Sequence, residues 1–336
     1  MLLICSPRFE EHVTPPGHPE RLERAHVFKH VAARWIKAGG PSAAPRAATR
    51  EELARVHDAA YLDTIAAIAG KAVMLDADTY TSPESVEVAD LAAGAAVQAA
   101  EHALSSGEAA FALVRPPGHH AERDRAMGFC IYNNVAVAAA AARAAGAARV
   151  AIVDIDVHHG NGTQWMFYGD PAVLYISSHQ YPFYPGTGAA NEVGTGTGEG
   201  FTVNIPLEAG ARDDDYQLVY STIALPVLDQ FRPDLTLVSA GYDAHELDPL
   251  ASMRMSAEGY GRIVGAIASA ARAHGALALV TEGGYDLGAL DGCLEASFAA
   301  VKSAATWSRA HLSDPAPRGQ RALAAVRAVQ AGFWRL

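Results

Sequence analysis

The sequence predicts an α/β fold, a mostly parallel β-sheet with helices on both faces. Three observations carry this reading. Short apolar, β-branched runs alternate with alanine-rich helical stretches along the chain. No internal repeat and no linker divides two cores, so residues 1–336 are read as one domain. The polar residues suited to chemistry fall just after the runs, at the strand ends where open parallel sheets bind ligands.

The expected strands are Leu2–Cys5, Ala110–Val114, Val150–Val157, Val173–Ser177, Phe201–Pro206, Leu235–Ser239 and Leu277–Thr281. Between them, helices are expected at Pro19–Lys37, Glu84–Leu104, Tyr132–Ala145, Asp213–Phe231 and Ala257–His274. Tyr181–Gly200 is a long loop rich in Gly and Pro, and such loops are usually functional. Ser313–Arg318 reads as a short hinge before a last amphipathic helix.

Half of the 336 residues are hydrophobic and 19% are charged, which excludes a disordered or fibrous chain. No run approaches the ~20 apolar residues of a membrane span. The start, MLLICSPRFE, lacks the basic region of a signal peptide and reads as a first strand. A net charge of −11 argues against a nucleic-acid partner and mildly favours cationic substrates. Cys5, Cys130 and Cys293 are far apart and odd in number, so a cytoplasmic protein without a disulfide framework is expected.

Val150–Gly162 reads VAIVDIDVHHGNG. Strand alternation would set Asp154, Asp156 and His158 on one face at a carboxyl end. Two carboxylates and an imidazole there call for a cation, and the residue types suit zinc. Asp243, after the strand Leu235–Ser239, would give a third protein ligand and leave a position for water, although an isolated Asp there is often a turn residue. In RPPGHHA (115–121) two prolines and a glycine force a rigid turn that fixes His119 and His120 at the same sheet edge. With the ligand set already filled, the two histidines are read as acid/base groups. In Glu282-Gly283-Gly284-Tyr285, the glycines permit close backbone approach and the Tyr hydroxyl could donate to an oxyanion. GTGTGEG (194–200) precedes a strand instead of linking a strand to a helix, so it is a loop and no phosphate cradle.

Taken in order, RPPGHHA, DIDVHHGNG, PGTG (185–188), GYDAH (241–245) and EGGY (282–285) resemble the histone deacetylase family, which includes bacterial histone deacetylase-like and acetylpolyamine amidohydrolases. The resemblance runs from HPERLERAH (18–26) to Tyr285. It implies the three-layer arginase–deacetylase fold around an eight-stranded sheet, one strand more than the pattern reveals. It implies Zn²⁺ on Asp156, His158 and Asp243, and a structural K⁺ near Asp154, Ser177 and Ser178. His119 and His120 match the histidine pair of the family, Asp154 the carboxylate that orients the first of them, and Tyr285 the hydroxyl that polarises the acetyl carbonyl. Gly128, Phe129 and Tyr184 match walls of the tube for the acylated side chain, with Gly283 beside it, and Arg21 matches an arginine of the inner acetate channel. Asn161 stands where many class I relatives have a second Asp, a class II-like feature that should leave His120 neutral near pH 7. Tyr285 stands where the weakly active class IIa relatives have His, so turnover is expected. The implied substrate is an acylated amine, acetyl-lysine or acetylpolyamine, with acyl preference and subunit number left open. An arginase-like binuclear hydrolase would need more ligands than GYDAH offers, and a silent acyl-lysine binder would not need the full set of site residues.

Overall fold

Successive strand residues face opposite sides of a sheet, and in the central strands of this chain both sets are apolar. The computed structural model describes residues 1–303 and 315–336. In it, Val153, Ile176, Val238 and Leu279 enter one core, and Ile152, Tyr175, Leu237 and Val280 enter the other. The sheet has eight strands: β1 (Leu2–Ile4), β2 (Ser42–Ala43), β3 (Ala110–Ala112), β4 (Val150–Asp154), β5 (Val173–Gln180), β6 (Thr202–Leu207), β7 (Leu235–Ala240) and β8 (Ala276–Thr281). All pair in parallel, in the order β2-β1-β3-β8-β7-β4-β5-β6. The strand missing from the sequence pattern is β2, a two-residue edge strand without an apolar run.

Helices cover both faces. Glu23–Lys37, Ala257–Arg272 and Leu287–Lys302 pack on one core, and Ser85–Ser106 and Asn134–Ala144 on the other. The continuous helix expected over 213–231 is interrupted by a wide turn at Tyr220–Ala224. Pro226 follows, and its missing N–H cannot serve the carbonyl of residue 222, which explains the local loosening. The last helix is Pro317–Gln330; Ser313 and Asp314 of the expected hinge lie outside the described residues. Among the described residues no helix is long and apolar enough to cross a membrane.

The sheet order has one consequence for function. β3, β8, β7 and β4 are consecutive neighbours at its centre, and each runs directly into one of the polar motifs. Residues far apart in sequence are thereby delivered to one edge.

Candidate active site

β4 ends at Asp154, not at Val157, so strand alternation does not reach the residues beyond it. Carboxylates organise that turn instead. Asp154 Oδ1 accepts the backbone N–H of Asp156 (3.2 Å), and Asp156 Oδ1 accepts that of His158 (2.9 Å). The three side chains therefore do not share one face as the sequence suggested. Asp154 turns to His119 Nδ1 and the Tyr175 hydroxyl, both at 3.0 Å. Asp156 and His158 instead meet Asp243 from the end of β7.

These three are buried, with ligand atoms within 4.8 Å of one another. His158 Nδ1 lies 3.2 Å from Asp156 Oδ1 and 3.1 Å from Asp243 Oδ2. Val157 donates its N–H to Asp243 Oδ1 at 2.8 Å, which fixes the third carboxylate. Gly241 and Gly283 wrap the cluster, and a Cβ at either would run into the Asp156 or Asp243 carboxylate. Burial, then the charge of Asp156, pushes Asp243 up to about 7. His158 is held at about 10 despite burial, because both carboxylates hydrogen-bond it. Two dry carboxylates this close require positive charge between them. One histidine and two carboxylates in a closed cradle fit a divalent ion such as zinc.

The histidine pair comes from the loop after β3. Glu282, at the end of β8, accepts the N–H groups of Gly118 (2.6 Å) and His119 (3.1 Å) on Oε2 and the Ser239 hydroxyl on Oε1 (2.7 Å). His120 Nδ1 lies 2.8 Å from Asn161 Oδ1. The two imidazoles are 4.0 Å apart between ring centres, yet they differ electrically. Burial alone would lower His119, but Asp156 and Asp154 outweigh it and hold the ring at about 10. His120 is pushed far down by burial and then by the charges of His119 and His158. The carboxylates thus favour the charged form of His119, whereas burial and the neighbouring histidines favour the neutral form of His120.

A cavity of about 160 Å³ descends to this cluster, lined by His120, Phe129, His158, Phe183, Tyr184 and Tyr285. Gly128 and Phe129 both adopt left-handed backbone, φ 57° and 70°. Gly128 must be glycine, since a Cβ would collide with the His120 ring. Phe183 stacks on His158 at 5.5 Å, and Tyr184 meets His120 edge-on at 5.1 Å. Tyr285 lies edge-on to Phe129, and its N–H donates to Asp248 Oδ2 at 2.6 Å.

The arginine beside Tyr285 is Arg24, whose guanidinium carbon lies 5.1 Å from the ring centre. Arg21, matched by resemblance to an arginine of the inner acetate channel, is exposed. Arg24 is fully buried and donates to the carbonyls of Gly284 and Glu282 and to Glu20 Oε1. Glu20 also takes Arg115 on both oxygens, at 2.6 and 2.7 Å. Sequence reasoning gave no role to Glu20, Arg24 or Glu282, nor to Phe183 and Asp78, which also line the cavity. A carboxylate at the end of an apolar strand was the available signal for Glu282. Register sets Ser177 directly opposite Asp154, whereas Ser178 turns its hydroxyl to Tyr220.

Fold and site together define a parallel α/β enzyme whose carboxylate–imidazole cluster stands at the carboxyl edge of the sheet. The Histone deacetylase domain model matches residues 16–301. A probable deacetylase of Archaeoglobus fulgidus is 40% identical over 291 residues, covering 85% of this chain and 81% of that protein. A histone deacetylase-like amidohydrolase of Pseudomonas aeruginosa is 41% identical over 286 residues, covering 81% and 74%. The crystal structure of the HDA15 HD domain superposes with a TM-score of 0.91 at 36% identity, over 99% of this chain and 94% of that one. The chain belongs to the histone deacetylase family and has its arginase–deacetylase fold.

Proposed function

We propose that the protein is a zinc-dependent amidohydrolase that removes acetyl or related acyl groups from amines such as acetyl-lysine or acetylpolyamines. The observation that carries this reading is the buried cluster of Asp156, His158 and Asp243 at the foot of a largely apolar cavity, with the paired His119 and His120 beside it. Asp156, His158 and Asp243 would hold the metal. When bound, zinc acts as a Lewis acid and brings the pKa of a water to about 7.

The remaining work falls to side chains. The aromatic walls at Phe129, Phe183 and Tyr184 pack the apolar stem of the acylated amine and exclude bulk water. His120, with Nδ1 engaged by Asn161, has Nε2 available to take the proton of the attacking water. The Tyr285 phenol, kept neutral by burial, donates to the carbonyl oxygen as negative charge grows there. His119 is oriented by Asp154, which meets its Nδ1, and stands beside His120 as the second member of the pair. The protonated pair then returns a proton to the departing amine. A structural potassium would sit at Asp154 and Ser177, with Ser178 offering only its carbonyl. The three cysteines are free, which suits the cytoplasm.

The test is a purified-enzyme screen across acetylated peptides, acetylpolyamines and longer acyl-lysines, with zinc content measured alongside. Zinc-dependent release of acid from at least one class is expected. A zinc-loaded protein inert toward all three would overturn the reading.

A further inference from the structure

The amide of Asn161 has two unlike ends: its oxygen only accepts and its NH₂ only donates. Whichever end faces His120 decides which ring nitrogen carries the hydrogen. Nothing within Asn161 itself fixes that choice, so another group must.

That group is Glu122, just past the histidine pair. Asn161 Nδ2 lies 2.7 Å from Glu122 Oε1 and 3.4 Å from the His120 carbonyl oxygen. Both of these are acceptors. Turning the amide over would press its oxygen against a carboxylate and a carbonyl, so NH₂ must face them. Oδ1 is then left for His120 Nδ1 at 2.8 Å. The ring hydrogen consequently sits on Nδ1, and the lone pair on Nε2.

Glu122 is itself firmly held. Its N–H donates to the Arg125 carbonyl, and its own carbonyl accepts from His57 Nδ1, both at 2.9 Å. Arg125 binds Oε2 at 2.7 Å, so each carboxylate oxygen has its own partner. The side chain is only 15% exposed. We propose that Glu122 is a positioning residue that, through the Asn161 amide, locks His120 in the Nδ1–H tautomer needed by a base. The proposal rests on the role given to His120 in the proposed hydrolysis.

Swapping the hydrogen-bond polarity tests it. Glu122→Gln keeps an acceptor and should leave kcat within about threefold. Glu122→Lys presents only donors, so the amide turns and the ring hydrogen moves to Nε2. The zinc-loaded variant should lose on the order of 10²-fold in kcat with KM and zinc content nearly unchanged. Asn161→Asp alone sets two carboxylates against each other and should also be impaired. Combining Glu122→Lys with Asn161→Asp gives a carboxylate that accepts from both sides, and kcat should recover at least about tenfold over either single variant.

Nitrogen-15 NMR of the His120 imidazole, assigned with His120→Gln, reads the tautomer without any substrate. The wild type should show Nδ1–H, Glu122→Lys should show Nε2–H, and the double variant Nδ1–H again. An unchanged tautomer in Glu122→Lys, or a double variant no better than the worse single one, would overturn the proposal. Should Glu122→Lys not fold, Glu122→Met removes the acceptor and is judged by the same tautomer and kcat criteria. If the wild type hydrolyses no acylated amine, the proposed reaction falls, while the tautomer still decides the place of Glu122.

Discussion

The Glu282 carboxylate accepts the backbone N–H of His119 at 3.1 Å, so the end of β8 holds the loop that follows β3. The histidine pair is therefore placed through its backbone as well as its rings. Burial pushes Glu282 up to about 7, against the neighbouring charge of His119.

Glutamine can replace that carboxylate and alanine cannot. In Glu282→Gln the amide oxygen accepts both N–H groups and the NH₂ donates to Ser239, so a cost below about 1 kcal/mol is expected. Glu282→Ala strands two buried N–H groups, each costing about 1–3 kcal/mol. Urea unfolding of the two variants separates them, and equal costs would refute this account of the loop.

The proposed metal site makes a second expectation. Asp243→Ala removes one ligand and leaves Asp156 and His158 without their partner, so zinc and activity should both be lost. Gly241→Ala keeps all three ligands but drives a methyl into Asp156, and should weaken zinc binding by at least about tenfold. Zinc titration against a competing chelator checks both. Full occupancy in Asp243→Ala would mean the ligands are wrongly assigned.

Tyr285→Phe should fold, keep its zinc and bind substrate, yet turn over on the order of 10²–10³-fold more slowly. Burial keeps the phenol protonated, so it is a hydrogen-bond donor across the working pH range. A kcat within about threefold of the wild type would show that the hydroxyl does not meet the carbonyl.

His57 gives the chain an acid sensitivity unconnected with the metal. Its Nδ1 donates to the Glu122 carbonyl and its Nε2 accepts the N–H of Asn133, so the folded ring is neutral. Burial lowers it to about 4. The unfolded chain takes that proton near 6.5, so this contribution is lost as pH falls from about 6.5 and levels off below 4. It amounts to at most about 3 kcal/mol. Unfolding free energies at pH 7 and pH 4.5 should therefore differ less in His57→Gln than in the wild type.

Much of this site was legible because parallel sheets put chemistry at strand ends, and the sequence marks strand ends clearly. Asp156, His158, Asp243 and Tyr285 stand within four residues of one, and His119 and His120 stand in the rigid turn that follows β3. What stayed hidden depends on contacts between distant segments. Strand alternation placed Asp154 with the wrong partners, because β4 stops there and the turn beyond follows its own hydrogen bonds. Arg24 is buried in the first turn of Glu23–Lys37, whereas Arg21 precedes that helix and stays exposed, a difference the sequence does not mark. Asn161 looked like a sufficient partner for His120, since no spacing rule reveals that Glu122 lies behind it. β2 is too short to carry any periodicity at all.

β8 lies between β3 and β7 in the sheet, yet it is the last strand to be synthesised. By the time β7 has been synthesised, the polypeptide already holds both histidines of the pair and, three residues later, all of Asp156, His158 and Asp243. It still lacks the strand that fills the middle of the sheet, along with Glu282, Gly283 and Tyr285. β3 and β7 then have no strand between them, and the N–H groups of Gly118 and His119 lack the Glu282 carboxylate that accepts them. A chain that ends before β8 lacks the central strand and the EGGY residues together.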